Sequence, residues 1–364
     1  MYITDGRSEP ILLAIFYLKS RGVESAYEWI YSGVQVLEGL LIVVCGGFLI
    51  FTVYMALYTK LFHFNITIIF SVFMLHWFEL LASKLLLTPY QEGFVPLNVS
   101  DPRPGCLLHY TFDEDVIHVA DLKSVVPMLV GAGARIRYML LVCFALPCIA
   151  VERCCATWHV TDYEQKKRGY ISAAPILLSE ILATLGAWAT TYQIVSPLFL
   201  AVTAALLQTF SYVCFRSIES FTKRYETKCQ NNASFYSLSV KFQLTENFRS
   251  LKVIHVVIVH VAVMIITVAV TIVLAWLNLI SAELIVLVFV GIEKFMHVNP
   301  MFICTAVFCV QPHWLTKFIR LLPGRHNRTH VAAKYSQEHT TGRRHFSPRH
   351  SLADLHFEQL KKLW

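Results

Sequence analysis

The sequence predicts an all-α membrane protein: a seven-transmembrane helix bundle, N-terminus outside, with a short interfacial helix after the seventh span. Three observations predict it. Seven apolar stretches each approach or exceed the ~20 residues needed to cover the hydrocarbon thickness. They run over residues 34–58, 65–87, 125–151, 170–192, 197–214, 253–276 and 279–308. The composition is 56% hydrophobic and 15% charged, with mean hydropathy +0.54, and a soluble domain of this size cannot bury so much apolar surface. Third, the cationic residues collect on alternate connections. With the N-terminus outside, the inner segments hold 22 Lys and Arg, the outer segments 5, and the spans 4. Cytoplasmic loops retain cations, so this split sets the orientation. Lys19 and Arg21 ahead of the first span oppose it locally, but the asymmetry repeats at every later connection. The net charge of +7 therefore reads as a surface for the inner leaflet and a partner, not for nucleic acid.

The division that follows is an extracellular segment over 1–33, a seven-transmembrane domain over 34–310 and a cytoplasmic tail over 311–364. The first thirty residues are mixed and short of structural signals. The apolar run Ile11 to Leu18 meets Lys19 where a cleavage site would need small residues, so no cleavable signal is expected. The longest outer connection, 88–124, carries turn formers, the acidic run Asp113-Glu114-Asp115 and the sequon Asn98-Val99-Ser100, a glycosylation acceptor on this topology. Of ten cysteines only Cys106 lies clearly outside, which leaves no partner for an intrachain extracellular bridge. Cys154, Cys155 and Cys309 stand where inner-face lipid acceptors or plain packing residues would stand.

In the third inner connection a polar stretch around 223–232 precedes a helical pattern from Tyr236, with Leu238, Phe242, Phe248 and Leu251 on one face. Lys241, Arg249 and Lys252 lie on a neighbouring face, which reads either as a partner-binding or as a solvated surface. After the seventh span, Pro312 can open a short helix with Trp314, Leu315, Phe318 and Ile319 on one face, the pattern of an interfacial helix. The remaining tail is basic and His-rich, with no convincing set of metal ligands.

Ionised groups inside a bilayer cost about 2.5–3.5 kcal/mol each on insertion scales, so each asks for a role. Glu79 and Lys84 fall in the second span, Glu180 in the fourth, and Glu293, Lys294 and His297 in the seventh. They are either ligand contacts or an interhelical polar network. Arg135 and Arg137 lie towards the outer leaflet, where they either snorkel or attract a ligand. Phosphate loops, metalloprotease and nucleophile-elbow motifs are all missing, so no enzyme and no cofactor is expected.

Glu152-Arg153-Cys154 at the inner end of the third span resembles the Asp/Glu-Arg-Tyr motif of rhodopsin-like receptors, with Cys154 in the tyrosine position. There the acid holds the arginine at rest, and release frees it for other helices or a G protein. Asn299-Pro300 sits in the seventh span, with Ile303 where those receptors carry tyrosine. Lys294 precedes Asn299 by five residues rather than the six of opsins, about 100° around the helix, which weakens any chromophore reading.

Further pieces extend the comparison: Phe62-His63-Phe64-Asn65, Trp77-Phe78-Glu79, Pro89-Tyr90-Gln91, Ala156-Thr157, Asp162-Tyr163-Glu164, Tyr236-Ser237-Leu238-Ser239, Phe242-Gln243-Leu244, Glu246-Asn247, Asn299 to Cys304 and Pro312-His313-Trp314. Together they resemble the nematode serpentine chemoreceptors of class epsilon, the Sre family, over roughly residues 34–320. The resemblance implies a G-protein-coupled receptor in the plasma membrane of sensory neurons and their cilia. It would bind a small chemical ligand from outside and activate a heterotrimeric G protein. On this reading Glu152, Arg153, Lys241, Arg249, Asn299 and Pro300 serve coupling and activation. Glu79, Glu180, Glu293 and Lys294 serve the ligand or the polar network. The rivals are an inverted seven-helix ligand-gated channel and a small-solute transporter, the latter lacking any visible internal repeat. Glycosidase treatment of the membrane-inserted chain is expected to remove mass from Asn98; modification of Asn232 or Asn327 instead reverses the orientation.

Overall fold

The computed structural model describes residues 2–4, 10–15, 18–19, 28–59, 63–95, 97, 107–108, 116–119, 122–159, 168–231, 244–245, 247–248, 250–260, 263, 282–310 and 314. The chain divides into two compact units, Met1–Val310 and Gln311–Trp364. Within the first, helices fall on all seven predicted spans: α1 (Glu28–Thr59), α2 (Phe64–Leu75) with α3 (Trp77–Gln91), α4 (Val126–Trp158), α5 (Tyr170–Thr191), α6 (Pro197–Asn231), α7 (Ser250–His260) and α8 (Ala282–Val310). Four stretches among the described residues are long and apolar enough to cross a membrane: Tyr31–Thr59, Phe64–Gln91, Leu122–Trp158 and Tyr170–Thr191. Apart from Trp314, the expected tail helices lie outside the described residues, as do Asn98, Lys241 and Arg249.

The bundle is built around α4, which packs against α2, α3, α5 and α6, while α8 packs on α1 and α3. Polar groups turn inward and apolar ones outward, the reverse of a water-soluble helix bundle. Val36, Leu40 and Val43 of α1 and Leu177, Ile181 and Leu185 of α5 are exposed, whereas Glu152, Arg153, Glu293 and His297 are buried. A hydrocarbon solvent rewards that inversion.

Two close approaches seat α4. Gly131 lets α3 in so tightly that a Cβ there would meet Leu86 Cβ and Leu87 Cγ, both at 3.0 Å, and the Ser83 hydroxyl donates to the Gly131 carbonyl at 2.6 Å. Farther along, Pro147 has no N–H to offer the Cys143 carbonyl one turn back. Gln208 of α6 supplies the missing donor, its Nε2 reaching that carbonyl at 2.7 Å.

Several boundaries differ from those expected. The first helix starts at Glu28, six residues before the predicted apolar run, because its polar first turns find partners: the Tyr31 hydroxyl and Gln35 Nε2 both donate to Glu92 beyond α3. The second span is interrupted for one residue at His76, between α2 and α3, although its backbone stays in the right-handed helical region. The polar stretch after residue 214 is not a loop; α6 continues to Asn231. No glycine or proline follows Pro197 in it, and Glu219 takes Arg216 at 2.6 Å and Lys223 at 2.7 Å, the i−3 and i+4 pairing that suits an exposed helix.

The all-α expectation is corrected at one end of the bundle. Among the described residues, the N-terminal segment and the connection before α4 contain five short strands: β1 (Tyr2–Thr4), β2 (Ile11–Leu12), β3 (Leu18–Lys19), β4 (Leu107–Leu108) and β5 (Val116–His118). The order β2-β1-β5 makes one sheet, with β1 antiparallel to β2 and parallel to β5, and β3 pairs with β4. Ile3, Leu13 and Ile15 are buried in one cluster with Leu87 and Tyr90 of α3 and Met128 and Ala132 of α4. The N-terminal segment thus caps this end of the helices. Gly131→Val is expected to force α3 off α4 at a cost of about 1–3 kcal/mol, as overpacking does. Thermal unfolding of the purified protein should show a lowered midpoint, while Gly133→Val, whose Cβ meets nothing within 4 Å, leaves it unchanged.

Candidate functional site

Charged residues in the bundle assemble into three groups, and each draws an arginine from α4. The first lies towards the capped end. Arg135 is fully buried and donates through Nη2 to Glu293 Oε1 at 3.2 Å and through Nη1 to the Ala14 carbonyl at 3.2 Å. Gln91 Nε2 reaches both oxygens of the same carboxylate, at 3.2 and 3.1 Å. Next to this set, Glu38 of α1 receives Lys84 at 2.5 Å, Lys294 at 2.9 Å and His297 at 2.6 Å. Lys294 also donates to Gln35 at 3.0 Å, which in turn donates to Glu92 at 2.9 Å. Three acids (Glu38, Glu92, Glu293) face three bases (Lys84, Arg135, Lys294), and that balance is what makes their burial tolerable.

The second group gathers at the His76 interruption. Arg137 donates to both Glu79 and Glu180 and, through Nε, to the Thr184 hydroxyl at 3.0 Å. His76 joins the same two carboxylates, Nδ1 to Glu79 at 3.2 Å and Nε2 to Glu180 at 2.5 Å. One arginine and one imidazole therefore tie α3, α4 and α5 together.

The third group closes the far end of α4. Arg153 grips the neighbouring Glu152 side-on, Nε at 2.5 Å and Nη2 at 2.6 Å, with both side chains fully buried. Its Nη1 reaches Asn247 Oδ1 at 3.1 Å, and Asn247 Nδ2 extends to Thr157 at 3.4 Å. Bidentate pairing adds direction as well as strength. His63, at the start of α2, lies close by. Burial pushes its imidazole below the ordinary value, against the pull of Glu152 and with the push of Arg153. Farther up, His260 meets Asn299 Oδ1 at 2.5 Å and stacks on Phe302 with ring centroids 5.1 Å apart, one residue before Pro300 interrupts the α8 hydrogen-bond ladder.

The structure joins Glu79 to Glu180 but separates Glu293 from Lys294. Neighbours on a helix point about 100° apart, so Glu293 turns to α3 and α4 while Lys294 turns to α1. Arg135 does not snorkel, since nothing of its side chain is exposed. Sequence reasoning missed Glu38, although a lone acid in the first span opposite Lys84 and Lys294 was a signal that it needed a partner. It also missed His76, Gln35 and Gln91 as members of these sets. Lys241 and Arg249 lie outside the described residues.

The family model of the Sre G protein-coupled chemoreceptors matches the chain over residues 8–364. The chain belongs to the Sre family. It is similar to serpentine receptor class epsilon-38 of Caenorhabditis elegans, 27% identical over 97% of this chain and 96% of that one. It is also similar to class epsilon-37 of the same organism, 22% identical over 92% of each, and to class epsilon-45, 28% identical over 64% of this chain and 63% of that one. This Sre protein is thus a multi-pass membrane protein of a nematode chemoreceptor family, a family of receptors and not of enzymes. Arg135→Met in the Sre chain leaves Glu293 buried without its charge partner, which should cost about 3–5 kcal/mol. A drop in thermal midpoint that Glu293→Leu largely reverses in the double variant is the expected result.

Proposed function

We propose that this chain is a plasma-membrane chemoreceptor of sensory cells, with its N-terminus outside, that binds a small chemical and activates a heterotrimeric G protein. The observation that carries the proposal is the buried Glu152–Arg153 pair. An arginine held at a helix end by its own neighbour and by Asn247 is a switch whose partners can be exchanged. Neutralising or displacing Glu152 releases a guanidinium able to cap carbonyls or meet a carboxylate of an entering protein.

The cation-rich connections, Arg153 among them, form the inner face in this reading, and Lys241 and Arg249 add to the partner surface. Asn299 and Pro300 mark the place where the α8 hydrogen-bond ladder lacks a donor, and there the helix can give on activation. Residues 1–33 and Asn98 with its glycan lie outside, 34–310 form the receptor body and 311–364 the cytoplasmic tail. Glu79, Glu180, Glu293 and Lys294 hold helices together instead of contacting ligand, because each carboxylate already has an arginine and Lys294 has Glu38. Membership of the Sre family supports the receptor role and gives the channel and transporter readings no support.

In cells expressing the chain with a heterotrimeric G protein, Glu152→Gln is expected to raise nucleotide exchange without stimulus. Arg153→Ala is expected to abolish stimulus-driven exchange at unchanged surface level. Currents or uptake that persist in cells stripped of G proteins would sink the proposal.

A further inference from the structure

Between α2, α3, α4, α7 and α8 lies a cavity of about 100 Å³. Resting on the receptor reading, we propose that this cavity is the stimulus site and that its ligand is a small, uncharged, mainly apolar molecule bearing one hydrogen-bond acceptor. Among the described residues no Asp, Glu, Lys or Arg lines it; Phe73, Leu141, Val142 and Ile254 do. An ionised ligand would lose its hydration there with nothing to replace it.

The polar groups at its rim are mostly engaged. Both ring nitrogens of His76 are taken by Glu79 and Glu180, and the Trp77 indole N–H donates to the His297 carbonyl at 2.7 Å. Asn299 is different. Its Oδ1 is matched with His260 at 2.5 Å, while its amide N–H₂ has no acceptor among the described residues, in a side chain that is 4% exposed. A ketone, aldehyde or ester oxygen satisfies that donor, and an unmet buried donor is costly. The size is set as well. An engineered apolar cavity of about 150 Å³ takes up benzene, so the smaller one here takes an occupant of roughly four non-hydrogen atoms.

Position links the cavity to the Arg153 lock. Leu146 and Ile149 form its wall on α4, and Arg153 follows one turn later, about 6 Å along the axis. Ile254 lies two turns beyond Asn247, which holds Arg153. A molecule filling the cavity presses on the two elements whose contact keeps the lock closed, and its polar end engages the residue preceding Pro300.

The test uses the full chain in phosphatidylcholine nanodiscs, with acetone and its isostere 2-methylpropene as probes and the thermal unfolding midpoint as readout. Both should raise the midpoint saturably, acetone at several-fold lower concentration. Ala145→Leu on α4 and, independently, Val257→Phe on α7 should remove the saturable rise by filling the cavity, and Asn299→Leu should erase the preference for the ketone. No saturable rise with either probe, or the same rise in both filled variants, overturns the proposal. The Arg153→Ala chain should be stabilised like the wild type. Saturable binding with no G-protein response therefore counts against the coupling mechanism alone, and a missing rise counts against the cavity alone.

Discussion

An unpaired charge in hydrocarbon costs more than a membrane fold has to spare, and α4 carries three arginines, Arg135, Arg137 and Arg153. The arrangement of the bundle follows from finding acids for them. Arg135 draws Glu293 of α8, Arg137 draws Glu79 of α3 and Glu180 of α5, and Arg153 takes Glu152 of its own helix and reaches Asn247 ahead of α7. Each helix that contributes an acid has its rotation about its own axis fixed by that contact. Apolar packing against lipid-like neighbours is comparatively indifferent to rotation, because tails and leucines are interchangeable. Ion pairs set the register, and close approaches such as Gly131 against Leu87 set the spacing.

What the sequence made legible followed from the strength of each signal. Hydropathy over 20 or more residues is a large signal, and described helices fall on all seven runs it marked. Strands of two or three residues have no room for alternation, so the sheet built from Ile3, Ile11 and Ile117 left no trace. The reach of α6 to Asn231 was hidden because charge was taken to mean loop, whereas spacing about Glu219 was the better guide. In the candidate site the charged residues of the spans were visible one by one, but their partners were not. Pairing depends on which faces meet, and Lys294 found Glu38 a full 256 positions away. Glu152–Arg153 was the exception, since adjacency alone joins the two.

The proline of α4 shows how a defect becomes a contact. A carbonyl left without its i+4 donor must be satisfied from elsewhere in the absence of water. Gln208 does this for Cys143, so a break in one helix becomes an anchor for the next. The His76 interruption works likewise: the side chain of the interrupting residue ties two acids across three helices. At both of these places the irregularity coincides with a cross-link.

The strand β1 occupies the middle of its sheet, between β2 and β5. Its first partner follows within a dozen residues, but its second, Val116–His118, is separated from it by the whole of α1, α2 and α3. Residues 2–4 must therefore wait, half paired, until two spans have been threaded through the bilayer and the next connection has emerged on the same side. Parallel pairing over so long a separation is slow to form. The cap therefore cannot close before the first two spans have crossed, and its closure reports that they have inserted correctly.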